Sequence, residues 1–228
     1  MTRLNRTRLL FGADATKKIQ DSTVMIVGCG AVGSFAAEAI ARTGVGNIIL
    51  VDFDTVAESN INRQLYALTS TVAMPKVDVA AARIRDINPD VAVTALNMFF
   101  DSDFDVEVHP DYVIDAIDTV ESKVALYKWA HKNKIPFISS MGAASKTDMT
   151  QIKVASISCT SVCPLASRVR RMVRDLGLGD FPVVFSTETP RPVTGHAKNL
   201  GSIVTVTGAF GLHMANWVIR EIIQDKSF

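Results

Sequence analysis

Apolar residues in this chain gather in short unbroken runs, separated by longer stretches of mixed character. Residues 23–28, 47–52 and 112–116 are such runs, too short for buried helices, and they predict strands covered on both faces. Residues 91–96 alternate as a half-exposed strand does, and residues 135–140 supply a further strand. Between them, residues 31–42, 75–87 and 121–133 are rich in helix formers. Thr43-Gly44 and Asn88-Pro89 provide stops, and Pro75 suits a first helical turn. Strands alternating with helices predict an α/β fold, a Rossmann-like doubly wound and mostly parallel sheet. After about residue 150 the pattern turns β-rich around one basic helix, and residues 151–157 and 181–186 are expected to extend the sheet antiparallel. No repeat or low-complexity linker divides the chain, so residues 1–228 read as a single domain.

Composition narrows the classes of function. Hydrophobic residues make up 48% and charged ones 21%, which is ordinary for a soluble globular chain. Twenty-four basic residues nearly cancel 23 acidic ones, so any nucleic-acid site must be a local patch. Three irregularly placed cysteines exclude a secreted disulfide framework, and residues 1–6 hold no apolar core of signal-peptide length; the cytoplasm is the expected compartment. Residues 201–219 lack Asp, Glu, Lys and Arg and are long enough to cross a bilayer. Their Ser, Thr and Gly residues, with His213 and Asn216, point instead to a buried closing helix or a dimer interface. Peripheral membrane contact through this uncharged helix is the alternative, and stable insertion is not expected.

The chemistry begins at Gly28-Cys29-Gly30-Ala31-Val32-Gly33, which follows the first strand directly and opens the first helix of the strand–helix–strand unit. Glycines let the backbone approach phosphate, and a helix N-terminus favours its negative charge. Asp52 ends the next strand at the spacing where a carboxylate reaches ribose hydroxyls. These features serve NAD or ATP equally. The stretch beyond Asp52 favours ATP, because Asp54, Asn60, Arg63, Gln64 and Lys76 form a polar and cationic run. Breaking the α–β bond of ATP needs cations to neutralise the α-phosphate, and Arg63 and Lys76 suit that role. It also needs a carboxylate for Mg²⁺, and Asp118 lies just past a later strand, at the sheet edge where doubly wound folds bind ligands. Taken singly, Arg63 and Lys76 would be solvated surface charges.

These residues resemble the ubiquitin-activating-type, or ThiF-type, adenylyltransferases. The matching stretches are Arg3-Leu4-Asn5-Arg6, the glycine loop, residues 51–56, Asn60-Ile61-Asn62-Arg63-Gln64, Met74-Pro75-Lys76, Ile87-Asn88-Pro89 and Asp115-Ala116-Ile117-Asp118, in consistent order. The resemblance implies one ATP-binding adenylation domain over residues 1–228. It places Gly28, Gly30, Ala31, Gly33, Asp52, Asp54 and Gln64 around ATP, with Asp52 on the ribose and Asn60, Arg63 and Lys76 on phosphates. Asp118 would hold Mg²⁺. Arg6 would reach the phosphates from the partner subunit of a homodimer and join Arg63, Lys76 and Asp118 as the catalytic set.

The second half narrows the family. Cys29, Cys159 and Cys163 cannot form the four-thiolate zinc site usual in sulfur-carrier adenylating enzymes, so no structural zinc is expected. No cysteine follows Cys163, so the loop of residues 187–200 has no thiol for a thioester, and Cys29 reads as a small apolar filler. Residues 3–12, 133–136, 164–171 and 185–188 resemble the tRNA threonylcarbamoyladenosine dehydratase branch. That branch implies adenylation of the threonylcarbamoyl carboxylate on a tRNA adenosine, then internal attack that closes a ring. Proximity replaces an enzyme thiol. A monovalent cation and a sulfur-transfer protein are left open as further partners. Two other readings remain: activation of the C-terminus of a ubiquitin-like sulfur carrier, and a non-catalytic nucleotide-binding module.

Residues 162–176 gather Leu165, Val169, Met172, Val173 and Leu176 on one helical face, with Arg170, Arg171 and Arg174 opposite and Arg168 at the border. A solvated helix face is the plain reading. With the resemblance, the four arginines become a candidate tRNA-backbone contact. His109, His131, His196 and His213 have no metal-ligand partner at suitable spacing.

Overall fold

The computed structural model describes residues 3–192 and 200–224. His196 and half of the loop of residues 187–200 lie outside the described residues. The apolar runs become β1 (Thr23–Val27), β2 (Asn47–Val51), β3 (Ala92–Leu96), β4 (Tyr112–Asp115) and β5 (Phe137–Ser140). All five are parallel, and β1, β2, β4 and β5 are buried along almost their whole length, which is why their sequences do not alternate. β3 is the edge strand and keeps the alternation.

Helices α2 (Gly33–Thr43), α3 (Lys76–Ile87) and α4 (Val120–Asn133) occupy the stretches expected for them. They are joined by α1 (Asn5–Asp21), α5 (Pro164–Asp175) and α6 (Val204–Ile223). β6 (Ile152–Ser156) and β7 (Pro182–Ser186) complete a seven-stranded sheet of order β3-β2-β1-β4-β5-β7-β6. Of these last two strands, β7 runs parallel to β5, and only β6 at the edge is antiparallel. The reason is the connection. No α-helix separates β5 from β6, so the chain turns straight back, whereas α5 intervenes before β7 and returns it to the common direction.

α6 packs against α2, and at Gly211 a side chain would place its Cβ 2.3 Å from the Val32 carbonyl oxygen. Gly208 and Gly211, two of the glycines that lower the apolarity of this segment, are what allow the two helices to approach. Its apolar residues close the core, and no helix among the described residues is long and apolar enough to cross a membrane. α1 has no counterpart in the hydrophobic pattern. Only Thr16 and Ile19 are buried along it, Gly12 breaks its course at φ 84°, and Leu9 and Leu10 are 73% and 74% exposed.

Candidate nucleotide site

The C-terminal ends of β1, β2, β4 and β5 open on one cavity of about 560 Å³. Gly28, Gly30 and Ala31 line it, with Asp52, Asp54, Asn60, Arg63, Gln64, Lys76 and Asp118. Residues spread over 91 positions of sequence thus meet at the sheet edge where doubly wound folds bind ligands.

The glycines act differently from one another. Gly28 leaves β1 at φ 95°, and a Cβ there would meet the Ala116 carbonyl oxygen at 2.7 Å. Gly33 does not line the cavity. A Cβ on it would sit 1.7 Å from the Gly28 carbonyl oxygen, so its part is to let α2 start against the loop. Gly30 alone faces open space, with Gln64 Nε2 at 3.7 Å from its would-be Cβ.

Asp52 braces the two loops around it. Its Oδ2 accepts from the Cys29 amide at 2.6 Å and its Oδ1 from the Asp54 amide at 2.8 Å, and the residue is only 9% exposed. Lys76, the first residue of α3, is buried and reaches Asp54 Oδ2 at 2.7 Å. Asp54 itself is half exposed, so the pair presents one cation and one carboxylate at the cavity wall, beside Asp52. A short 3₁₀ turn, Glu58–Asn60, carries the polar run. Asn60 Oδ1 accepts the Ala57 amide at 3.1 Å, which fixes the turn. Arg63 is half buried and donates from Nη1 to the Ser59 carbonyl and to Asn62 Oδ1, both at 2.8 Å. Asp118 is exposed in the turn beyond β4.

Arg6 sits exposed on α1 and does not line the cavity of its own chain. The described residues contain no cluster of three or more His, Cys, Asp or Glu side chains. The candidate donor is the exposed Asp118 carboxylate, with Asp54 paired to Lys76 and Asp52 held by two backbone amides, beside a cavity sized for a nucleotide. It suits Mg²⁺, which binds through one or two carboxylates and substrate phosphates and does not need a protein cage.

Two groups of residues escaped the sequence reading. Gly142, Ala143, Ala144, Leu165, Leu200 and Ser202 also line the cavity. Small residues after a strand give no signal of their own. The other group is a buried quartet beneath the Asp118 turn: Asp115, Lys123, Tyr127 and Ser139, none more than 1% exposed. Burial pushes the Tyr127 hydroxyl well above its ordinary pKa, and the neighbouring Asp115 adds to this. Burial likewise raises the Cys29 thiol, in keeping with a filler under the loop. Burial lowers the Lys146 ammonium, which donates to the carbonyls of Ser186 and Glu188 and ties the loop after β5 to the end of β7.

The arginine face of α5 is smaller than its spacing suggests. Arg168, Arg171 and Arg174 are exposed, but Arg170 is half buried and turns back to donate to the Thr160 carbonyl and hydroxyl oxygens. Helical periodicity places Arg170 outside; the polar atoms of Thr160 in the preceding loop draw it in. Leu176, expected on the buried face, ends the helix and is 44% exposed.

The profile of the ThiF family matches residues 4–228. The chain is 49% identical to the tRNA threonylcarbamoyladenosine dehydratase of Bacillus subtilis, over 97% of this chain and 94% of that one. The structure of the E. coli tRNA N6-threonylcarbamoyladenosine dehydratase in complex with ATP superposes with a TM-score of 0.91 at 37% identity, over 99% of this chain and 95% of that one. Its complex with AMP gives the same score and coverage at 38% identity. The molybdopterin-synthase adenylyltransferase of Escherichia coli is 37% identical over 65% of this chain and 60% of its own length. The chain belongs to the ThiF family, within its tRNA threonylcarbamoyladenosine dehydratase branch.

Proposed function

We propose that this protein is an ATP-dependent tRNA threonylcarbamoyladenosine dehydratase. The observation that carries the reading is the cavity itself: glycine loop, Asp52, Arg63, Lys76 and Asp118 around one space, in a chain that matches dehydratases along nearly its full length. In this reading residues 1–228 form one adenylation domain. Asp52 holds the ATP ribose, and Asn60, Arg63 and Lys76 contact the phosphates. Mg²⁺, when bound by Asp118, neutralises phosphate charge. An oxygen of the substrate carboxylate attacks the α-phosphorus, and the bond to the pyrophosphate oxygen breaks. An internal nucleophile of the same threonylcarbamoyl group then attacks the acyl carbon, AMP leaves, and the net change is the loss of water.

The three cysteines suit this course. Cys29 and Cys163 are buried, Cys159 does not line the cavity, and ring closure requires no enzyme thiol. A homodimer in which Arg6 reaches the partner's cavity accounts for the exposed Leu9 and Leu10 beside it on α1. Arg168, Arg171 and Arg174 are the exposed cations offered to the tRNA backbone, in the cytoplasm.

The test is direct. Purified protein with ATP, Mg²⁺ and tRNA carrying threonylcarbamoyladenosine should convert the nucleoside to a product lighter by one water, read by mass spectrometry. Arg63→Ala and Lys76→Ala should abolish the conversion. An unchanged nucleoside together with carrier-dependent pyrophosphate exchange would replace this reading with sulfur-carrier activation. Selective NAD binding without ATP binding would remove both.

A further inference from the structure

Asp115 is the last residue of β4 and Asp118 lies three residues on, so the turn between them sets where the Asp118 carboxylate points. The turn is fixed from below. Lys123, on the first turn of α4, sends its ammonium into the core between β4 and β5 and is 0% exposed. It donates to Asp115 Oδ2 at 2.9 Å and to Ser139 Oγ at 3.2 Å. Ser139 donates to the same carboxylate oxygen at 2.6 Å, and Tyr127 OH lies 2.7 Å from Ser139 Oγ. With Oδ2 held in this way, Oδ1 faces up and accepts the Ile117 amide at 3.0 Å. The amide so captured belongs to the residue immediately before Asp118.

The same turn touches the glycine loop. The Ala116 amide donates to the Val27 carbonyl at 2.8 Å, and the Ala116 carbonyl fills the space where a Gly28 side chain would be. A buried ion pair is weak evidence for stability, because desolvation offsets most of the attraction. What such a pair supplies well is a fixed geometry. Here the fixed object is a turn shared by Asp118 and the phosphate loop.

We propose that Lys123 is a positioning residue of the adenylation site: through Asp115 it orients the turn that aims the Asp118 carboxylate at the metal–nucleotide complex. The inference rests on the adenylation reading of this cavity. Ser139, itself hydrogen-bonded to Tyr127 of α4, holds the ammonium from the β5 side, and Lys123 does not line the cavity.

The test is a binding measurement. Mn²⁺ affinity is read by electron paramagnetic resonance in the presence of a non-hydrolysable ATP analogue, in wild type, Lys123→Met, Asp118→Asn and the combined variant. Because Lys123→Met leaves a buried unpaired carboxylate, Lys123→Met/Asp115→Asn is measured beside it as a neutral pair. Loss of an outer-shell partner weakens metal binding by about 10- to 100-fold. A fall of that size is expected in both Lys123 variants, with metal-free analogue binding changed by less than about threefold. In the combined variant the loss should not exceed that of Asp118→Asn alone, as required of two residues acting through one contact. Mn²⁺ affinity unchanged in a cooperatively melting Lys123→Met/Asp115→Asn protein, while Asp118→Asn loses it, overturns the role of Lys123 alone. No effect of Asp118→Asn overturns the metal reading of the site, and this inference with it.

Discussion

The three glycines of the phosphate loop should separate cleanly into those that the fold needs and one that the ligand needs. Gly33→Ala places a methyl group 1.7 Å from the Gly28 carbonyl oxygen, a contact that only a backbone shift relieves. Gly28→Ala adds left-handed strain at φ 95°, about 1–2 kcal/mol, to a 2.7 Å encounter with the Ala116 carbonyl oxygen. Forced overpacking of this kind costs roughly 1–3 kcal/mol more. For a chain of this size each kcal/mol moves the melting temperature by about 2–4 °C, so Gly28→Ala should melt roughly 4–20 °C lower, and Gly33→Ala lower as well. Gly30→Ala is different. Its nearest neighbour is the movable end of Gln64 at 3.7 Å, and its φ lies outside the left-handed region. Removing backbone freedom from the unfolded chain can even stabilise by about 0.4–1 kcal/mol at such a position. The methyl group does, however, project from a residue that lines the cavity proposed to take ATP. Urea melts and ATP calorimetry on the three variants decide the matter. Gly30→Ala should fold as well as wild type and bind ATP at least tenfold more weakly. Wild-type ATP affinity in Gly30→Ala, or undiminished stability in Gly33→Ala, would refute the division.

Arg170→Ala should lower stability by about 0.5–1.5 kcal/mol, the worth of its bonds to Thr160. Arg171→Ala should leave the melt unchanged and instead weaken tRNA binding with a salt slope smaller by about one. Glu38 bridges Arg83 at 2.7 Å and Arg42 at 2.6 Å. Burial raises its carboxyl pKa, but the hydrogen bonds and charges of the two arginines outweigh burial and hold it below the usual value. A depressed folded pKa gives stability that is present above the unfolded value and lost as pH falls through the folded one. Glu38→Gln should therefore cost roughly 1–3 kcal/mol at pH 7, and the difference from wild type should shrink below about pH 4. Thiol titration of the native protein should find one fast cysteine, Cys159, with Cys29 and Cys163 reacting only on unfolding. Cys159→Ser should abolish the fast phase.

The parts of the fold that a linear pattern specifies were readable, and the exceptions share a cause. β1, β2 and β4 showed as apolar runs because both their faces are covered, and α2, α3 and α4 showed through helix-forming residues and their stop signals. α1 buries two residues in 17 and leaves Leu9 and Leu10 outside, so its own chain imposes no periodicity on it. The direction of β7 depends on whether a helix intervenes, which residues 181–186 do not themselves encode. Among the proposed site residues, those that the structure gathers around one cavity were legible because phosphate and ribose dictate residue types at set places along the sheet edge.

Lys123 was not legible. In sequence it is a lysine on a helix with charged neighbours, and such residues are almost always solvated. Only the pairing of β4 with β5, which brings Ser139 beside Asp115, creates the pocket that holds its ammonium. The cavity-lining residues proposed to meet the nucleotide are thus of types that its chemistry dictates and can be read locally. The residues that aim them are set by strand register and become visible once the sheet is assembled. A change at β5 that removes no cavity-lining side chain, Ser139→Ala, should then weaken Mn²⁺ binding in the analogue complex while leaving metal-free analogue binding unchanged.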